Sequence, residues 1–228
     1  MNLSKIQTGV LCFLTSVCAG ALAACLLVGC ASAGYQKGDV AAISMQKAAT
    51  EVQVEGRALD QTIVALKDLL SATNGDLRPP FKRFSKSLDG LIAKAQRTQN
   101  TGRSVQEKNA AYLQAWDQQL QTIDYQHIRD LSEARRAEVT NRVEVVNRRY
   151  QESQAAVQPL IAYFLDIRKA LSTDLTPAGL ESLKGIVQNA NENVAKVQTA
   201  LEALTGELTN SSARMASIAY QPSEQNTQ

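Results

Sequence analysis

Cysteine carries the most reactive side chain in this sequence, and its placement is lopsided. Cys12, Cys18, Cys25 and Cys30 fall in the first thirty residues, and none follows. A disulfide framework or a thiolate zinc site is thereby excluded from the body. His127 is the single histidine, and Asp124 stands three residues before it. On a helix the two would share a face. A bundle metal site generally needs such a pair from each of two helices, and no second histidine exists to complete it. The plainer reading puts His127 beside a packing seam near a turn. No Gly-x-Ser-x-Gly elbow, phosphate-binding glycine loop or dinucleotide fingerprint occurs. The carboxylates are numerous but scattered. No catalytic residue, metal site or cofactor is expected, and the chain reads as a non-enzyme.

Two stretches could attract anions. Arg78-Pro79-Pro80-Phe81-Lys82-Arg83-Phe84-Ser85-Lys86 carries four positive charges and no negative one. Arg78, Lys82, Arg83 and Lys86 could meet an anionic partner such as the cell wall. The plainer alternative is a helix start with Phe81 and Phe84 in the core and the charges solvated. The second stretch holds Arg135, Arg136, Arg142, Arg148 and Arg149. There Glu138 precedes Arg142 by four and Glu144 precedes Arg148 by four, as on a solvated helix face. Overall, 24 basic against 22 acidic residues give a net charge of +2, which argues for no nucleic-acid partner.

The N-terminus accounts for the cysteines. Lys5 is the only charge before Asp39, and residues 6–28 form an apolar stretch. A short basic start, an apolar run and small residues at its end describe a secretory signal segment. The run closes on Leu27-Val28-Gly29-Cys30, which resembles the lipobox of bacterial lipoproteins. That resemblance implies cleavage before Cys30 and acylation of the new N-terminal cysteine. Leu22-Ala23-Ala24-Cys25 fits the same pattern, so Cys25 is the alternative. Cys30 is preferred because the apolar run continues through Leu26, Leu27 and Val28. An uncleaved span is the other alternative, since residues 6–28 are long enough to cross a bilayer. One acyl chain holds a protein marginally, and two hold it firmly. Asp is absent at positions 31 and 32. Among lipoproteins this implies export to the outer membrane, facing the periplasm. Loss of residues 1–29 removes only Lys5 among the charges, leaving a body close to neutral.

That body must be helical. Apolar residues recur in steps of three and four. One stripe runs Met45, Ala49, Val52, Gly56, Leu59, Ile63, Leu66, Leu70. A second begins Phe81, Phe84, Leu88, Leu91, Ala95, blurs near Gly102, and resumes at Val105, Tyr112, Trp116 and Ile123. A third runs Val139, Val143, Val146, Tyr150, Ser153, Val157, Leu160, Phe164, Ile167, Leu171. A fourth runs from Leu180 through Leu183, Val187, Ala190, Val194, Val197, Leu201, Leu204, Leu208, Ser211 and Met215 to Ile218. This period places one seam against another, and no segment alternates with period two. The fold class expected is all-α: an elongated, coiled-coil-like antiparallel bundle of four long helices. Helices of about 35–50 residues would be roughly 50–75 Å long.

The boundaries have chemical causes. Gly75 can adopt a left-handed helix end, and Pro79 and Pro80 suit a helix start. Thr176 can cap a helix opened by Pro177, with Leu175 stapling onto Leu180. No Gly or Pro lies between Gly102 and Pro159. A turn is expected within residues 124–132, with Asp130 as its cap. Pro159 sits inside an unbroken stripe, so a kink is expected there rather than an end. Residues 1–29 are read as signal peptide, 30–37 as lipidated cysteine and tether, 38–219 as the helical domain, and 220–228 as a disordered polar tail.

Residues 116–185 carry a second resemblance. Its fragments are Trp116-Asp117-Gln118-Gln119-Leu120, Ile128-Arg129-Asp130-Leu131-Ser132-Glu133, Arg149-Tyr150, Val157-Gln158-Pro159-Leu160, Asp174-Leu175 and Gly179-Leu180-Glu181-Ser182-Leu183. They resemble bacterial lipoproteins known only as a domain of unknown function. The resemblance implies a periplasm-facing helical protein with no assigned activity and a helical hairpin near residue 128. The expected function is therefore structural or partner-binding, at the end of a lipid anchor. Expected partners are the membrane, through acyl chains, and a protein or a second copy. The alternative is an envelope-polymer binding module using Arg78, Lys82, Arg83 and Lys86.

Overall fold

The computed structural model describes residues 34–72, 75–189 and 191–217, without the side chains of 186–192. Five helices follow in order: α1 (Gly34–Ser71), α2 (Arg78–Leu120), α3 (Gln126–Thr173), α4 (Pro177–Asn189) and α5 (Asn191–Met215). No strand occurs among the described residues. The all-helical class is as expected, but the count of four is corrected to five: the fourth rod is α4 plus α5. Asn189, Asn191 and Asn193 crowd the division. Asparagine side chains compete for backbone hydrogen bonds, so a run of them weakens a helix even where the apolar stripe continues.

Each long helix packs on two others. α1 lies against α2 and α5, and α3 lies against the same two. Specific pairs give the directions. Gly38 meets Tyr112 and Glu51 pairs with Arg97, so α1 and α2 run antiparallel. Trp116 bonds to Ser132 and Asp89 to Arg168, which makes α2 and α3 antiparallel. The Ser212 hydroxyl donates to the Ala42 carbonyl at 2.9 Å, and Gln198 donates to Asp60 at 2.8 Å. These set α5 antiparallel to α1. An up-down-up-down bundle results, with α1 and α3 on one diagonal.

The seams are where the periodicity puts them. All ten residues of the third stripe are buried, from Val139 to Leu171. Met45, Val52, Leu59 and Leu66 are buried on α1, and Phe84, Leu88, Leu91 and Val105 on α2. Leu201, Leu204 and Leu208 complete the core from α5. At roughly 1.5–3 kcal/mol for each large apolar side chain removed from water, these seams dominate the folding energy.

Turn chemistry sets the corners. Gly75 has φ of +102°, a region L side chains rarely adopt. Pro79 and Pro80 occupy the first turn of α2, where an amide donor is dispensable. The Gly179 amide donates to the Thr176 hydroxyl at 3.1 Å, an N-cap bond for α4. A Cβ on Gly179 would stand 2.4 Å from the Asp174 carbonyl oxygen, so this corner requires glycine. α3 continues through Pro159 to Thr173.

The α2–α3 turn spans residues 121–125, at the early edge of the expected range. Asp130 does not cap it: α3 already runs from Gln126, whose amide donates to Asp130 Oδ1 at 2.6 Å. The turn is held instead by Arg129, whose Nε donates to the Ile123 carbonyl at 3.0 Å. α1 starts at Gly34, inside the stretch expected as a tether. Residues 220–228 lie outside the described residues.

Candidate functional site

Antiparallel packing gathers the start of α1, the α2–α3 turn and the end of α5 at one end of the bundle. The Ser217 hydroxyl and amide each donate to the Asp39 carboxylate at 2.7 Å. These bonds hold the Asp39 carboxyl below its ordinary range. Arg135 reaches the Arg214 carbonyl at 3.0 Å, tying α3 to the same corner. Cys30 and its alternative Cys25 precede Gly34 and lie outside the described residues. No helix among the described residues is long and apolar enough to cross a membrane.

This end also carries a surface that the periodicity reading passed over. The large apolar side chains exposed among the described residues are Tyr35, Val40, Ile43, Val64, Tyr125, Ile128 and Leu131. All but Val64 lie at the Gly34 end. Tyr125 is 78% exposed, Ile128 55% and Leu131 61%. Their spacing of three puts them along one side of the first turns of α3. His127 and Asp124 are exposed at the same tip. No group of three or more potential metal-ligating residues occurs among the described residues.

The basic turn occupies the opposite end. Lys82, Arg83 and Lys86 are exposed there, while Phe84 is buried and Phe81 half-buried. Arg78 differs from its companions. Its Nε and Nη2 donate to the Asp76 carboxylate at 2.8 and 2.9 Å, a two-pronged pair. The pairing lowers the Asp76 carboxyl and raises the Arg78 guanidinium from their ordinary values. Arg83 and Lys86 border a shallow groove shared with Asp60 and Asp68 of α1. The four charges therefore do not form one unopposed patch.

Inside the bundle lies a polar layer. Glu55 on α1, Thr98 and Asn109 on α2, and Ser153 on α3 are all buried. Burial pushes the Glu55 carboxyl above its ordinary value, with the Thr98 hydroxyl pulling weakly the other way. The Tyr150 hydroxyl is buried without a hydrogen-bond partner, as are both polar atoms of the Asn109 side chain. Burial, and then the nearby Glu55 charge, raise the Tyr150 phenol far above its usual range. A pocket of about 10 Å3 opens beside Glu55, Thr98 and Ser153. That is room for about one water, too little for an organic substrate. A wider groove, about 490 Å3, runs between α1 and α5 where Gly56 and Gly206 leave open space.

With this geometry in view, a family described as a protein of unknown function, DUF2959, matches residues 29–214. The chain belongs to the DUF2959 family. The DUF2959 match opens one residue before Cys30 and runs through α1, α2, α3 and α4 to one residue short of the end of α5. It therefore takes in the apolar end, the basic turn and the polar layer of this DUF2959 member. No curated protein and no solved structure matches the chain.

Proposed function

We propose that this protein is a lipid-anchored scaffold of the bacterial envelope. Cys30 is acylated after removal of residues 1–29, and the bundle stands off the membrane as a structural or partner-binding body without catalysis. The observation that carries this reading is Leu27-Val28-Gly29-Cys30 at the end of an uncharged apolar run. The family match beginning at Gly29, after the apolar run and beyond Cys25, supports Cys30 over Cys25. Asp is missing after Cys30, which favours outer-membrane placement facing the periplasm. The bundle supplies reach: α3, with 48 residues, is roughly 70 Å long. The chain is expressed with an alkyne-tagged fatty acid, as parent, Cys30→Ser and Cys25→Ser. Loss of label only in Cys30→Ser is expected. Loss only in Cys25→Ser moves the anchor to Cys25, and an unlabelled, freely soluble parent rejects the proposal.

A second reading is envelope-polymer binding at the far end. It is favoured by the exposure of Lys82, Arg83 and Lys86 at the end opposite the start of α1. Arg78, paired to Asp76, contributes less. Replacing all four by Gln and measuring retention on purified cell wall separates the readings. Unchanged retention removes the polymer.

A further inference from the structure

The exposed apolar side chains are segregated, and their location relative to the chain's start selects what covers them. Tyr112 of α2 packs against Gly38 of α1. From that level α2 continues eight residues to Leu120, about 12 Å, whereas α1 extends only four residues back to Gly34, about 6 Å. The α2–α3 turn therefore projects beyond the start of α1. Leu131 adjoins Ser132, whose hydroxyl accepts the Trp116 indole N–H at 2.9 Å. It stands near the level of Gly34, and Ile128 and Tyr125 lie further out.

Cys30 is joined to Gly34 by four peptide links. Extended chain spans at most about 3.6 Å per residue, so its sulfur is held within roughly 14 Å of this end. Given the lipid anchor proposed above, on which this inference rests, the end bearing the apolar side chains is the end brought to the bilayer.

We propose that the α2–α3 tip is a second membrane contact, with Tyr125, Ile128 and Leu131 inserted in the lipid interface beside the acylated cysteine. The chemistry suits that depth. Tyrosine places an apolar ring and a polar hydroxyl across an interface, and aliphatic residues enter the acyl boundary. The tip's fixed charges nearly cancel: Asp124, Asp130 and Glu133 face Arg129 and Arg135. Insertion is therefore apolar in origin and needs no anionic lipid. Two contacts at one end fix the tilt of the bundle, where an acylated tether alone would let it swing.

The test uses the acylated protein purified from membranes. On the anchoring reading, the mature chain holds no cysteine besides the acylated one. Ile128→Cys and Val64→Cys therefore each supply one thiol for an environment-sensitive fluorophore. Both are placed on phosphatidylcholine vesicles containing lipid brominated near the headgroup. The expected result is a blue shift and loss of fluorescence at position 128, neither at position 64, and no change on adding anionic lipid. A protein that stays on the vesicles with position 128 unquenched overturns the tip contact and leaves the anchor intact. A 128-to-128 crosslink between molecules in place of quenching assigns the surface to a second copy and likewise overturns it. A purified protein with no acyl mass that leaves the vesicles overturns the anchor and the tip contact together.

Discussion

Gly102 of α2 lies against the ring of Tyr150 on α3, so closely that a Cβ on Gly102 would stand 2.8 Å from Tyr150 Cε1. The sequence blurs at this point because the seam position is glycine, and the tyrosine opposite fills the missing volume. α2 and α3 are keyed together there.

Two glycine substitutions test that key. Gly102→Ala gains helix propensity of about 1 kcal/mol but must displace a buried ring, at about 1–3 kcal/mol. Net destabilisation is expected, read as a lower urea midpoint. Gly90→Ala, in the same helix with nothing within 4 Å of the new methyl, is expected to stabilise by up to about 1 kcal/mol. Stabilisation by both variants would show that Tyr150 moves aside freely.

The Tyr150 hydroxyl offers a second test, because it is buried and makes no hydrogen bond. Its desolvation is an uncompensated cost of order 1 kcal/mol. Tyr150→Phe keeps the ring against Gly102 and removes that oxygen. The thermal midpoint is expected to hold or rise. A clear fall would mean that the hydroxyl is satisfied by water in solution.

Glu55 makes stability depend on pH. Its folded-state carboxyl is raised above the ordinary value of 4.5, so the native protein holds this proton more tightly than the unfolded chain. The contribution is fully present below the ordinary range. It is lost as pH rises from there through the raised native value. Glu55→Gln removes this slope. Asp39 and Asp76, both lowered in the native state, act oppositely and lose their contribution as pH falls. The informative quantity is therefore the difference between parent and variant. Glu55→Gln should gain stability of order 1 kcal/mol at pH 7 and lose that advantage near pH 4. A constant difference across that range would remove Glu55 as the titrating group.

The α4 cap is a local test. Thr176→Ala removes the hydroxyl that accepts from the Gly179 amide. A loss of about 1 kcal/mol is expected, together with faster amide exchange at Gly179 and Leu180. Unchanged exchange at Gly179 would show that water replaces the cap.

Periodicity and turn chemistry made much of this fold readable from the residues alone. Each core residue of α3 is named by its stripe, because steps of three and four fix one face of a helix whatever it packs against. Gly75, Pro79, Thr176 and Pro177 announce their corners, because each acts through its own backbone geometry. Readability ends where a second chain segment is needed. On α1 the buried seam takes in Glu55, where the stripe reading chose Gly56. On α2 it takes in Asn109, which no hydropathy pattern would select. Whether a polar residue is buried depends on the opposing surface. Arg78 looked like one of four equivalent charges until Asp76 was seen to fold back onto it. Tyr125, Ile128 and Leu131 have the spacing of a seam, yet α3 begins beyond the reach of its neighbours and leaves them uncovered. A helical period assigns residues to a face; only packing assigns that face a partner, because the partner lies elsewhere in the chain.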